Sequence, residues 1–357
     1  MIKFTELNTE KITKKLKRYL ASFMVPIMVS VMITGVLTAC GNDGGELSKN
    51  DEGLVEITFC LDWTPNTNHT GLYVAEALGY YKEAGLDVTF VQPPENGAVQ
   101  CAASGQAQFA IDAQDTLAAA LDMDKPLDVT AVAAILQHNT SCIISRAGDG
   151  IKYPKGLEGK KYSTWDSPIE LAMIEYVMKQ DGGDFSKVTL IPNVITDEPA
   201  ALSAKQTDAV WVFYGWSGIN AELKNVELDC WYFKDISSEL DYYTPVIVAN
   251  NEFLQENKEI ANKFMEATVK GYEYAVENPK EAAKMLIDGD ETGSLKANEE
   301  LVYKSQEYVS KQYIADGKVF GVIDEGRWNS FYKWLYDNEL TSKDLTGVGF
   351  TNDYLPK

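Results

Sequence analysis

The stretch Asp62-Trp63-Thr64-Pro65-Asn66-Thr67-Asn68-His69-Thr70 sets an indole, two amide side chains and an imidazole close together. That set suits a planar heterocycle. The aromatic face stacks on the ring, and the amide and imidazole groups fix its orientation. Each residue also has a structural reading: Trp63 as a tryptophan packed in a turn, His69 as a cap on the helix that opens at Thr70. Four further clusters share this character. Glu95, Asn96 and Gly97 open a helix, where free backbone N–H groups meet an acceptor or only complete a turn. Asp112, Gln114 and Asp115 offer carboxylates to a ring amine, or an N-cap at Asp115. Trp165, Asp166 and Ser167 lie between a strand and a helix, with Ser167 as the cap. So do Tyr214, Gly215, Trp216 and Ser217. Tyr242 and Tyr243 either cover a cleft or pack at a hinge.

No cluster is a catalytic constellation. His69 and His138 are the only histidines, which leaves little for a metal site or a Ser/His/Asp triad. Cys60, Cys101, Cys142 and Cys230 stand singly in apolar runs or beside aromatics, with no CxxC spacing. Buried free thiols and one extracellular disulfide both fit. The expectation is a binding protein rather than an enzyme, without a cofactor. Charge narrows the ligand. The three arginines, Arg18, Arg146 and Arg327, lie outside the candidate loops, while Asp62, Asp112, Asp115 and Asp166 lie in them. Sulfonate, nitrate or carboxylate capture favours bidentate arginine. A neutral or weakly cationic aromatic heterocycle is therefore expected, although a helix N-terminus can hold an anion without arginine.

These loops need strands to carry them. β-Branched and apolar runs predict strands at 55–61, 86–91, 107–111, 128–136, 141–145, 159–164, 188–191, 209–213, 226–233 and 243–249. Helices are expected at 71–84, 97–104, 116–121, from Ser167, at 199–204 and at 217–223. Ser167 and Glu170 have capping-box spacing, with Pro168 at the first helical position. Beyond Asn251 the pattern is nearly all helical, and Asn278-Pro279 ends its long amphipathic segment. Strand–helix alternation that stops and restarts predicts an α/β protein of two lobes, each a mostly parallel sheet flanked by helices. Crossings near Arg146 and Asp241 divide the chain into a discontinuous first lobe, 54–146 and 242–357, and a second lobe, 147–241. A ligand cleft is expected at the C-terminal strand ends, closing about a hinge.

The N-terminus predicts export. Lys11, Lys14, Lys15, Lys17 and Arg18 precede an uncharged apolar run, 19–37, and Leu37-Thr38-Ala39-Cys40 follows it. This is the layout of a cleaved signal, 1–39. It resembles the bacterial lipobox, in which Cys40 becomes the acylated first residue, carrying palmitate or a similar chain. The Gly-rich polar stretch 40–53 reads as a tether. Without 1–39 the chain keeps 26 basic and 51 acidic residues, a net charge of −25. So acidic a surface argues against nucleic acid. A lipid-anchored extracytoplasmic protein is expected.

Several segments together resemble the NMT1/THI5-like (SsuA/THI5-like) solute-binding proteins. The most specific is Asp62-Trp63-Thr64-Pro65-Asn66-Thr67-Asn68-His69-Thr70-Gly71-Leu72-Tyr73. Gly79-Tyr80-Tyr81-Lys82-Glu83-Ala84-Gly85-Leu86, Ala103-Ser104-Gly105-Gln106-Ala107, Tyr242-Tyr243-Thr244-Pro245-Val246 and Asn278-Pro279 are similar to later parts of the family. The resemblance covers 55 to about 287. It implies a two-lobe periplasmic-binding-protein fold of type II, acting as a monomer. Such proteins pass a captured small molecule, such as a thiamine pyrimidine precursor or a flavin, to an ABC permease. Other members of this broad group take sulfonates, nitrate or taurine. Eukaryotic relatives are pyrimidine synthases that consume their own histidine, use pyridoxal phosphate and carry a cysteine-rich motif, where this chain has scattered single cysteines. It also departs from the pyrimidine binders at Ser217, where they place a glutamate that reads ring nitrogens.

Overall fold

The structure is a computed structural model that describes residues 47–357 apart from Val194 and 316–318. The expected signal sequence, the lipidation at Cys40 and the first part of the tether lie outside the described residues.

Ten strands form two five-stranded sheets. They are β1 (Val55–Cys60), β2 (Leu86–Val91), β3 (Phe109–Asp112), β4 (Val129–Ala134), β5 (Ser141–Arg146), β6 (Lys161–Thr164), β7 (Thr189–Pro192), β8 (Ala209–Phe213), β9 (Leu228–Tyr232) and β10 (Val246–Asn250). The sheet orders are β2-β1-β3-β10-β4 and β7-β6-β8-β5-β9. One strand in each runs against its neighbours: β10 between β3 and β4, and β5 between β8 and β9. The other four are parallel, with helices in the crossovers that parallel neighbours require. The two sheets thus share one topology, and the reversed strand in each is the one by which the chain arrives from the other.

That topology corrects the expected crossing at Arg146. Ser141 to Ser145 pair with Phe213 to Ala209 of β8, so β5 belongs to the second sheet. The first crossing is 135–140. The run SCIIS is apolar enough for either core, and only its partner strands decide which sheet holds it. The second crossing, 233–245, contains Asp241. Asp241 joins the two crossings: it accepts from the Asn139 N–H at 2.9 Å and pairs with His138 Nδ1 at 2.6 Å.

The first sheet packs on Phe59, Tyr81, Phe109 and Phe264, whose rings stack at centroid distances of 4.1–6.0 Å. Burying each side chain contributes roughly 2–3 kcal/mol. The expected helix 71–84 is two helices, Thr70–Ala77 and Tyr80–Glu83. Gly79, at φ +75°, separates them. The long amphipathic helix is Lys258–Glu277, and it crosses Thr70–Ala77 backbone to backbone. A Cβ on Gly271 would overlap the Gly71 carbonyl oxygen, so glycine at 271 is a condition of the crossing. No helix of the described residues is long and apolar enough to cross a membrane.

Candidate functional site

The candidate loops follow β1, β2, β3, β6 and β8 at their C-terminal ends. The loop after β1 consumes most of its polar groups in holding itself. Asn66 Oδ1 accepts from the Asn68 N–H at 2.9 Å, and the Asn66 N–H donates to His69 Nδ1 at 3.2 Å. With Nδ1 accepting, the imidazole proton sits on Nε2, which donates to Asp62 Oδ1 at 2.7 Å. His69 is fully buried. Tyr272 Oη donates to the Asn68 carbonyl at 2.7 Å, and Tyr313 Oη to that of Thr67. Asn66 and His69, expected to face a ligand, are thus loop builders, and both His69 nitrogens are occupied. What the loop presents is Trp63, 65% exposed.

The second sheet repeats this device with other residues. Glu170 is buried and accepts from Tyr162 Oη at 2.6 Å, Thr164 Oγ1 at 2.9 Å, the Trp165 N–H at 3.0 Å and the Ser167 N–H at 3.4 Å. The capping box is present, and its glutamate also fastens the preceding strand end. Asp166 is exposed and sits at φ +60°, a conformation that costs an aspartate backbone energy. Trp165 is left 48% exposed, its ring 5.7 Å from that of Trp211. β1 and β6 hold the same place in their sheets, so Trp63 and Trp165 project from equivalent strand ends.

After β3, Asp112 Oδ1 accepts from the Ala113 N–H at 2.8 Å and Oδ2 from the Val99 N–H at 3.4 Å. It therefore caps the helix Ala98–Ala103, next to Asn96, which is exposed, and Gly97, at φ +91°. Burial raises the Asp112 pKa to about 6, against the hydrogen bond from Ala113. Asp115 lies in the first turn of the helix Gln114–Asp122, and its Oδ1 is buried without a partner among the described residues. Burial raises its pKa too.

After β8 the chain makes a wide turn, Tyr214–Gly218. Tyr214 donates its hydroxyl to Glu222, and its ring lies between Tyr232 and Tyr308. Trp216 is half-buried against a cluster that includes Tyr73, Leu286 and Val302, so much of its face is packing. Gly215 approaches the helix Glu299–Tyr313 so closely that a Cβ would lie 2.9 Å from Val309 Cγ2. Tyr242 does not cover a cleft. It is 4% exposed and stacked on Phe331 at 4.1 Å.

Two contributors escape sequence reasoning. Glu198, at the start of the helix Glu198–Ser203, hydrogen-bonds to Ser217, and burial raises its pKa. A carboxylate thus reaches the Ser217 position from another segment. Ser305, on the helix Glu299–Tyr313, bonds to both the Thr67 hydroxyl and the Gly215 carbonyl. Both described arginines are engaged elsewhere: Arg146 with Asp208, and Arg327 with Asp241 and the Gln137 carbonyl. A cavity of about 660 Å³ lies on the flank of the first sheet, walled by Tyr73, Phe90, Glu76 and Asp290. From the loop after β1 it takes only Leu61 and Pro65.

With this geometry in hand, likeness to known proteins is informative. Residues 66–282 match the family described as NMT1/THI5 like. A formylaminopyrimidine-binding protein of Halalkalibacterium halodurans is 29% identical over 293 residues, covering 81% of this chain and 87% of that protein. A 4-amino-5-hydroxymethyl-2-methylpyrimidine phosphate synthase of Saccharomyces cerevisiae is 27% identical over 260 residues, covering 65% of this chain and 71% of the synthase. Among solved structures, a periplasmic sulfonate-binding protein SsuA from Methylobacillus flagellatus superposes with a TM-score of 0.62 at 17% identity, over 84% of this chain and 92% of that one. That likeness shows the two-lobe periplasmic-binding-protein fold. By the extent of its family match, this chain is a member of the NMT1/THI5-like family.

Proposed function

We propose that this chain is the extracytoplasmic solute-binding lipoprotein of an ABC importer, held by lipid on Cys40 and acting as a monomer. It captures a small planar heterocycle, pyrimidine-like or flavin-like, by closing its two lobes, and passes it to a permease. The observation that carries the reading is the pair Trp63 and Trp165, exposed at equivalent strand ends. Large aromatics left in solvent at such a place supply stacking surface for a ring. The polar side of the site is acidic. Asp115 has a buried oxygen without a partner among the described residues, and Glu198 and Asp112 are carboxyls whose pKa burial has raised. Such groups accept from ring amines, and a cationic ligand gains from their charge. The described arginines are committed to structural partners, which disfavours sulfonate or nitrate.

The test is mass spectrometry of small molecules co-purified with the mature protein, followed by thermal shift. A ligand that binds only the folded state raises the melting temperature. Aminopyrimidines or flavins are expected to raise it. A shift with sulfonates or nitrate and none with any heterocycle overturns the assignment. The mass of the N-terminal peptide tests acylation of Cys40.

A further inference from the structure

We propose that Cys142 and Cys230 are an oxidisable pair, which closes into a disulfide between β5 and β9 when the protein meets a small-molecule disulfide. The strand register sets them together. Cys142 is opposite Tyr232 and Ile144 is opposite Cys230, so the two cysteines are diagonal neighbours on one face of the second sheet. They share an apolar cluster with Ile144, Val210 and Val212, and the two thiols are hydrogen-bond neighbours. Both are free thiols in this structure.

Access fits, and reach requires a small backbone shift. Diagonal neighbours stand roughly 7–8 Å apart at Cα, whereas a disulfide draws its Cα atoms to about 5.5–6 Å. Closing that gap slides β9 along β5, and because β9 is an edge strand bonded only to β5, the slide disturbs that one ladder and no other. Cys142 is fully buried, while Cys230 is half-buried and so the more accessible of the two. Cys60 and Cys101 form a comparable thiol contact in the first lobe, but both are buried. Oxidation is therefore selective for the second pair.

The chemistry is two thiol–disulfide exchanges. The Cys230 thiolate attacks a disulfide RSSR, forms a Cys230–S–S–R bond and releases one RS⁻, which takes up a proton. The Cys142 sulfur, giving its proton to solvent, attacks the Cys230 sulfur and displaces the second RS⁻, which is protonated in turn. Two protein thiols are oxidised and one RSSR becomes two RSH. Burial holds the Cys142 thiol protonated, so exchange starts at Cys230. The bond would join the strand by which the chain arrives in the second sheet to the strand by which it leaves. It would also brace Tyr232 and Tyr214, the first residue of the Tyr214–Gly218 turn, which pack on the same cluster.

The experiment treats the purified native protein with oxidised glutathione and reads intact mass, free thiols after denaturation and a peptide map. The wild type is expected to lose the mass of two hydrogens and two thiols, to yield a Cys142–Cys230 peptide and to melt several degrees higher until dithiothreitol is added. Cys142→Ser is expected to retain a glutathione adduct on Cys230, and Cys230→Ser to stay unmodified. Far-UV circular dichroism verifies that both variants are folded. A stable glutathione adduct on wild-type Cys230, loss of Cys60 and Cys101 instead, or no reaction in the wild type would each overturn the proposal.

Discussion

The hydroxyl of Ser305 lies 2.7 Å from the hydroxyl of Thr67 and also donates to the Gly215 carbonyl. A serine hydroxyl has one proton, and a carbonyl only accepts. The Ser305 proton therefore goes to Gly215, and Thr67 donates to Ser305. One buried oxygen links the loop after β1 to the turn after β8, which belong to different sheets. The helix Glu299–Tyr313 acts as a common strut for both candidate loops.

Ser305→Ala leaves the Thr67 hydroxyl and the Gly215 carbonyl without their partner. Stranding buried polar groups costs about 1–3 kcal/mol, a loss of roughly 3–8 °C in melting temperature. If the two loops hold the proposed heterocycle, its affinity falls as well, because both lose a fixed reference. Calorimetry on the free and ligand-loaded protein measures both. A variant that melts with the wild type would show that the linkage carries no strain-bearing role.

Trp63→Ala and Trp165→Ala separate binding from folding. Trp63 is 65% exposed, so its loss is expected to change stability by no more than about 0.5 kcal/mol, and Trp165, 48% exposed and beside Trp211, by about 1 kcal/mol. If the rings stack on the ligand, each loss weakens binding by roughly 2 kcal/mol, about thirtyfold. Trp216→Ala behaves differently. Its ring packs against the Tyr73 and Val302 cluster, so it is expected to destabilise the protein by about 1–3 kcal/mol. Isothermal titration beside chemical denaturation distinguishes the two classes.

Asp112 gives the pH prediction. Burial lifts its pKa from 3.8 to about 6. Between those values the folded chain keeps a proton that the unfolded chain has lost. Stability from this group is present below the unfolded pKa and is lost as pH rises through about 6. Asp112→Asn lacks this component, so it is expected to gain on the wild type between about pH 4 and pH 7.5. Melting curves at the two ends measure that gap. An equal gap at both ends would mean that the carboxyl titrates normally.

The strands were legible because β-branched runs report burial on both faces, whichever neighbour provides it. The bounds of β2 and β8 agree with the expected 86–91 and 209–213. Sheet membership was not legible, since the β5 run suits either core. The loop chemistry was legible in type and not in use. Asn66 and His69 looked like ligand donors because nothing local shows that Asp62 would occupy Nε2, or that Tyr272 would reach across to the Asn68 carbonyl. Glu170 announced its capping box through spacing, but its bonds to Tyr162 and Thr164 depend on the strand before it. Ser305 carried no signal, because its partner Thr67 lies 238 residues away.

Glu198 is the sharpest test of the ligand class. It reaches Ser217 from the start of the helix Glu198–Ser203. The pyrimidine binders that this chain resembles hold a glutamate near the Ser217 position, so here the same charge would come from another segment. Glu198→Gln keeps the shape and removes the charge. Because burial disfavours that charge, stability is expected to hold or rise slightly. A charge-assisted hydrogen bond to a ring amine is worth about 1.5–3 kcal/mol, so affinity for an aminopyrimidine is expected to drop at least about tenfold. A heterocycle of the same size without the amine should lose little. Equal losses for both ligands would mean that Glu198 shapes the pocket without reading the ring, and no loss for either would remove it from the site.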